Sequence, residues 1–80
     1  MDDRQILEQI RELADEEHRL EQGHAGDGLT DEEHRRLHDL EVSLDECWDL
    51  LRQRRARRAA GQDPDDAAVR PETVVERYQQ

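Results

Sequence analysis

The segment from Leu29 to Gly61 constrains the fold most, because it contains a helix start, a long apolar pattern and a helix stop in that order. Thr30 followed by Glu33 is typical of a capping box at a helix N-terminus. A glycine such as Gly61 is typical of the residue just after a helix. The segment therefore predicts a helix over residues 31–60. Its apolar stripe, here called the seam, recurs every three or four residues at Leu37, Leu40, Leu44, Cys47, Trp48 and Leu51.

A second amphipathic pattern precedes this helix. After Asp2 or Asp3, either of which suits a helix cap, Ile6, Ile10, Leu13 and Leu20 keep a helical spacing, with Glu17 filling the remaining position. This pattern predicts a helix over residues 3–22. Residues 23–30 contain three glycines, which is typical of a polar inter-helix turn. The fold expected for residues 1–61 is therefore an all-α, coiled-coil-like antiparallel hairpin of two helices.

A turn centred near Gly26 sets the expected register of the hairpin. It places Ile6 opposite Trp48 and Ile10 opposite Leu44, and it leaves the end of the longer second helix projecting beyond the first. A two-helix hairpin buries only one side of each helix, so the simplest completion is a homodimer that forms a four-helix bundle.

Residues 62–80 form an acidic tail. Pro64 interrupts the helix pattern soon after Gly61. Pro71 and Glu72 open a short predicted helix over residues 72–79 that includes Tyr78, and a helix this short needs a surface to dock on.

Charge is unevenly distributed along this chain of 80 residues, whose net charge is −10. Residues 1–51 carry −12, residues 52–60 carry +5 and residues 61–80 carry −3. Two interpretations of the basic stretch stay open: it binds an acidic protein surface, or the acidic residues Asp63, Asp65 and Asp66 fold back and neutralise it. We call its members the arginine collar: Arg52, Arg54, Arg55, Arg57 and Arg58.

Composition also restricts location and chemistry. The single Cys47 forms no internal disulfide, and acidic neighbours disfavour its thiolate. Neither a signal segment nor a long apolar run occurs, so we expect a cytoplasmic protein without a membrane contact. Without a catalytic or cofactor motif, the expected function is a non-enzymatic protein interaction module. The residues expected to contact a partner are Trp48, Leu51, Arg52, Arg54, Arg55, Arg58 and Tyr78.

Two other functions remain as alternatives. His34, His38 and Glu41 share one side of the second helix, and with Glu17 from the first they offer two imidazoles and two carboxylates to a metal. The arginine collar offers guanidinium groups to nucleic acid phosphates. The acidic remainder of the chain repels nucleic acid, which weakens the second alternative.

Several stretches resemble a known family. They are the run from Leu40 to Arg58, which contains Cys-Trp-Asp-Leu-Leu-Arg-Gln-Arg-Arg, then Gly61-Gln-Asp-Pro-Asp, Arg70-Pro71 and Val75-Glu-Arg-Tyr78, with Glu16-Glu-His-Arg-Leu20 upstream. The chain resembles, over nearly its whole length, the short actinobacterial proteins of the domain of unknown function 2630. This resemblance implies a single-domain cytoplasmic protein and supplies no catalytic residue.

Overall fold

The computed structural model describes residues 1–22 and 28–70, which form two α-helices and a short 3-10 helix. Helix α1 spans Asp3–Gln22, helix α2 spans Asp31–Ala59, and the 3-10 helix spans Pro64–Asp66. The first residues of α1 contact the last residues of α2, so the two helices are antiparallel. The predicted helical hairpin is confirmed, and α2 ends one residue before the predicted end at residue 60. Residues 23–27 of the predicted loop and the predicted helix 72–79 lie outside the described residues.

Local hydrogen bonds explain where each helix begins. At the start of α1, the Asp2 carboxylate accepts from the Gln5 backbone N–H at 2.8 Å, and the Gln5 side chain accepts from the Asp2 backbone N–H at 2.9 Å. At the start of α2, Thr30 and Glu33 make the same reciprocal pair at 3.1 and 3.0 Å. Each pair satisfies backbone donors that have no partner within the helix.

Helix α2 ends in a Schellman motif. The Gln62 N–H donates to the Arg57 carbonyl at 2.7 Å, and the Gly61 N–H donates to the Arg58 carbonyl at 3.1 Å. Gly61 has φ +74°, a backbone conformation that a residue with a Cβ adopts only with strain. The glycine turns the chain back along α2, and we call residues 61–70 the return segment.

The buried core is small and lies between the two helices. Ile6, Ile10 and Leu51 form one buried cluster, and Leu40 is buried as well. Partly buried side chains pack against the cluster at Leu44, Cys47 and Leu50. Truncating one buried leucine or isoleucine to alanine in such a cluster costs about 2–5 kcal/mol, a large fraction of the stability of a domain this small.

The predicted register is wrong at the open end of the hairpin. Leu51, rather than Trp48, shares the buried cluster with Ile6, and Trp48 remains 42% exposed. Trp48 and Leu51 are successive seam positions, so the apolar pattern suits either pairing. The pairing of Asp3 with Arg54 fits the observed choice, because these residues lie three positions farther toward the open end than Ile6 and Leu51.

The return segment packs on α2 through polar contacts. The Asp63 carboxylate caps the 3-10 helix by accepting from the Asp65 N–H at 2.9 Å, and Pro64 occupies the first turn of this helix. Farther along, the Ala68 carbonyl accepts from the Gln53 side chain at 2.7 Å. No helix within residues 1–22 and 28–70 is long and apolar enough to cross a membrane.

Candidate functional site

Arg54 connects three parts of the chain. Its guanidinium donates to the Asp3 carboxylate at 2.5 Å, to the Asp65 carboxylate at 2.9 Å and to the Pro64 carbonyl at 3.2 Å. The residue is only 6% exposed although it carries a full charge. A planar guanidinium suits this position because its N–H groups point toward separate acceptors at once. Arg54 therefore joins the start of α1, the end of α2 and the return segment.

Asp3 binds a second member of the arginine collar. Arg58 donates to both oxygens of the Asp3 carboxylate, at 2.6 and 3.1 Å. The hydrogen bonds from Arg58 and then from Arg54 lower the pKa of Asp3 from 3.8 to about 2. Hydrogen bonds from Asp3 and Asp65 in turn raise the pKa of Arg54. Both shifts favour the ionised forms of Asp3 and Arg54.

The expectation that the collar projects freely beyond α1 is therefore wrong for Arg54 and Arg58. Asp3, in the first turn of α1, reaches both of them. Of the three tail aspartates expected to fold back, Asp65 binds Arg54, whereas Asp63 caps the 3-10 helix. Much of the collar's charge is used to close the open end of the hairpin.

A second buried charge lies on the side of α2 that faces away from α1. Asp49 is 0% exposed, and its two carboxylate oxygens accept from the Arg70 guanidinium. The Gln53 side chain also donates to Asp49, at 2.9 Å. Burial acts to raise the pKa of Asp49, but the hydrogen bonds from Arg70 and Gln53 outweigh it, so the net pKa is lowered. This pair holds the end of the return segment against α2.

The return segment and the back of α2 together form a shallow, open groove. It has a volume of about 410 Å³. The groove is lined by three arginines, two glutamines and one alanine, namely Arg52, Gln53, Ala56, Arg57, Gln62 and Arg70. Every polar side chain in this lining is a hydrogen-bond donor, and the arginines are permanently charged. The groove is therefore chemically suited to anionic groups.

The residues expected to contact a partner fall into four environments within the described part of the chain. Leu51 and Arg54 are buried inside the chain, so neither offers an exposed surface. Arg52 lines the basic groove, whereas Trp48 and Arg55 are exposed elsewhere on α2. Arg58 is partly exposed and bound to Asp3. Tyr78 lies outside the described residues.

The proposed metal ligands are only partly brought together. Glu17 is half-buried, and burial, followed by the nearby charges of Glu21 and Glu41, raises the pKa of its carboxyl group. His34 and His38 are both exposed. In the part of the chain that the structure describes, no three histidine, cysteine, aspartate or glutamate side chains lie close enough to hold a metal ion.

Cys47 lies at the edge of the core. Burial, and after it the charge of Glu46, raises the pKa of its thiol. The neutral thiol is therefore favoured at neutral pH, in agreement with the expected effect of its acidic neighbours. Its packing against the buried cluster fits a small apolar side chain.

Sequence reasoning missed the partners that organise the site. Asp49 does not belong to the seam, and Arg70 and Asp3 lie far from the collar in sequence. A signal was present in Arg70, the only basic residue among the acids of residues 61–70. The sequence does not indicate which carboxylate Arg70 would bind, because acidic residues are abundant throughout.

The chain matches the family described as "Protein of unknown function (DUF2630)" over residues 2–80. The protein belongs to this family. This DUF2630 protein also resembles uncharacterized proteins of Mycobacterium tuberculosis and Mycobacterium bovis, each 47% identical over 77 residues. These alignments cover 95% of this chain and 88% of each relative. No solved structure matches the DUF2630 chain. The family resemblance drawn from the sequence is therefore confirmed.

Proposed function

We propose that the protein is a non-enzymatic interaction module that binds an acidic segment of another protein in the basic groove. One observation carries this proposal: three guanidinium groups and no carboxylate line a groove on a chain whose net charge is −10. The many carboxylates elsewhere on the chain repel an acidic partner, so the basic groove is the favourable place for such a partner to bind. Complementary charge of this kind directs binding and raises its rate.

The division of the collar supports the groove as the binding surface. Arg54 and Arg58 bind carboxylates of the same chain and do not line the groove, whereas Arg57 does line it. Arg70 also lines it and is bound to the buried Asp49, so the local charge of the groove with Asp49 included remains positive. Gln62 adds an amide group that can bind a peptide backbone or carboxylate.

The chemistry of the groove favours binding over catalysis. Its lining residues are arginine, glutamine and alanine, which supply hydrogen bonds and charge but neither a nucleophile nor a general base of ordinary pKa. The groove is also shallow, whereas substrate pockets enclose most of their ligand. An extended or helical protein segment suits such a surface better than a small molecule.

We further propose that the module acts in the cytoplasm as a coiled-coil-like homodimer. The single cysteine, with a raised thiol pKa, suits a reducing compartment. Leu7 and Trp48 are exposed in one chain, which leaves apolar surface that packing against a second hairpin would cover.

Affinity capture with matched variants tests the groove. Immobilised wild type and an Arg57→Glu variant would be incubated with nuclease-treated mycobacterial lysate, and bound proteins would be quantified by mass spectrometry. Arg11→Glu is the control, because it makes the same change of net charge, from −10 to −12, at an exposed site on α1. We expect an acidic protein to bind wild type and the control, and to bind Arg57→Glu at least about tenfold more weakly.

The proposal also requires sensitivity to salt, because salt weakens the attraction between exposed charges; the screening length is about 8 Å at physiological ionic strength and shortens as salt is added. Capture should therefore fall as salt is raised. Equal capture by wild type and Arg57→Glu would contradict the proposal. Recovery of nucleic acid from lysate without nuclease, with no protein lost in the variant, would instead favour the nucleic acid alternative.

A further inference from the structure

One side of the hairpin carries both of the large apolar side chains that α1 and α2 leave exposed within the described residues. Leu7 is 45% exposed and Trp48 is 42% exposed. Leu7 follows the buried Ile6 by one residue, and Trp48 precedes the buried Leu51 by three. At about 100° per residue, these steps turn the two side chains to the same side of an antiparallel helix pair. Leu7 and Trp48 also lie at a similar height along the hairpin, because their neighbours Ile6 and Leu51 share one buried cluster.

Charge changes sign along α2 on this same side. Glu41 lies seven residues before Trp48 and Arg55 lies seven residues after it. Seven residues are about two helical turns, so the three side chains share one side of the helix. Glu41, Trp48 and Arg55 are all exposed. Asp45 and Arg52, three residues before and four after Trp48, repeat the order of acid followed by base.

A helix face with this order is complementary to a second copy of itself. In a twofold symmetric contact the same surface of both chains meets, so it must match its own rotated image. If the axis passes beside Trp48 and the two α2 helices are antiparallel, Glu41 of each chain faces Arg55 of the other. In a parallel arrangement, Glu41 would instead face Glu41 of the other chain, and Arg55 would face Arg55.

A repulsion within one chain supports the same arrangement. Glu41 lies near the half-buried Glu17, and after burial and the charge of Glu21, the charge of Glu41 adds to the raised pKa of that carboxyl group. A guanidinium group placed beside Glu41 would offset the repulsion between the two carboxylates. The symmetric contact brings an arginine to this position from the second chain.

We propose that two copies of this chain associate through antiparallel α2 helices, with Trp48 beside the twofold axis and Glu41 paired to Arg55 of the other copy. Trp48 and Leu7 then bury their exposed surface at the centre of the contact, where aromatic residues contribute most to binding. The contact from Glu41 to Arg55 extends about 21 Å along each helix.

The dimer contact leaves the basic groove accessible. Arg57 follows Trp48 by nine residues, which is about two and a half turns, so the two side chains leave α2 in opposite directions. The Arg57 side of the groove therefore faces away from the dimer contact, and Arg52, four residues after Trp48, lies at the boundary between the two surfaces. Dimerisation is tested by the charge-swap variants described below, whereas groove binding is tested by Arg57→Glu, so one proposal can fail without the other.

A charge-swap experiment tests the contact and its direction. Sedimentation velocity over a range of concentrations would compare wild type with Glu41→Arg and Arg55→Glu, with circular dichroism to establish equal helicity. Each single variant places like charges opposite each other twice in the dimer, so we expect at least about tenfold weaker dimerisation. An equimolar mixture of the two variants should dimerise again, because the two substituted side chains then face each other with opposite charges and the native pair is also present.

The sole tryptophan gives a second measurement, because burial of Trp48 in the dimer shifts its fluorescence to shorter wavelength. Glu12→Arg, a charge reversal at an exposed position of α1, is the control and should dimerise like wild type. A wild type that stays monomeric would overturn the proposal. So would a dimer that both single variants form as tightly as wild type, or variants that fail to dimerise when mixed.

Discussion

At the residue scale, Arg54 determines how the open end of the hairpin is closed. Arg54 lies on α2, and its guanidinium binds Asp3 from α1 and Asp65 from the return segment. Burying one charge is favourable only when its partners are in place, and removing one partner leaves the others without compensation. Arg54 is therefore a structural residue, although its position in a basic run favoured a surface role.

Replacing Arg54 by methionine tests this structural role. Arg54→Met keeps most of the side chain's length but leaves Asp3 and Asp65 without their shared partner. We expect the melting temperature to fall by about 4–8 °C, as for a modest loss of stability in a domain of this size. Thermal unfolding followed by circular dichroism measures the change. Arg35→Met, at an exposed position of α2, is the control. Equal changes in both variants would contradict the structural role of Arg54.

The lowered pKa of Asp3 predicts a defined pH dependence. Its pKa is about 2 in the folded protein and 3.8 when unperturbed, so folding favours the ionised form. The resulting stability is present above pH 3.8 and is lost as the pH falls toward 2. We expect urea unfolding to show that wild type loses more stability over this interval than Asp3→Asn does. Parallel losses in the two proteins would show that Asp3 is not the responsible group.

At the element scale, the ends of the helices follow from local sequence. Thr30 with Glu33 and Asp2 with Gln5 fix two helix starts through reciprocal hydrogen bonds, which depend only on neighbouring residues. Gly61 fixes the end of α2 in the same local way. For this reason the bounds of both helices were predictable, whereas contacts between distant segments were not.

Gly61 also directs the return segment back along α2, where the two form the groove. Gly61→Ala forces a Cβ into a left-handed backbone conformation at a cost of about 1–2 kcal/mol. We expect lower stability and faster hydrogen exchange in residues 62–70, because the Schellman hydrogen bonds are weakened. Gly61→Asn should have a smaller effect, since asparagine tolerates this conformation better. Unchanged exchange in Gly61→Ala would contradict the dependence of the return segment on this glycine.

The candidate site shows where sequence reasoning reaches its limit. The apolar spacing predicted the seam, but it could not choose between Trp48 and Leu51 as the residue buried with Ile6, because both suit the same helix face. The abundance of acids made the pairing of Asp49 with Arg70 indistinguishable from many others. Both choices depend on three-dimensional geometry: the levels at which the helices meet and the path of the return segment.

At the scale of the whole molecule, opposite charges are placed where they perform different tasks. Residues 1–51, which are acidic overall, supply Asp3 and Asp49, and the return segment supplies Asp65. These three carboxylates hold the basic end of α2 and the return segment in place. Arg52, Arg57 and Arg70 line the groove, and the large apolar side chains that the two helices leave exposed are Leu7 and Trp48. A small core thus coexists with two separate surfaces for association, one for an acidic segment and one for a second copy.

Nuclear magnetic resonance tests the division of the arginine collar most directly. The guanidinium and side-chain amide signals of labelled protein would be followed during titration with a capped, glutamate-rich peptide. We predict saturable shifts at the groove residues Arg57 and Gln62, with the Arg54 signal unchanged because its N–H groups are bound within the chain. A shift centred on Arg54 and Arg58, or equal shifts at exposed arginines throughout the protein, would contradict the account.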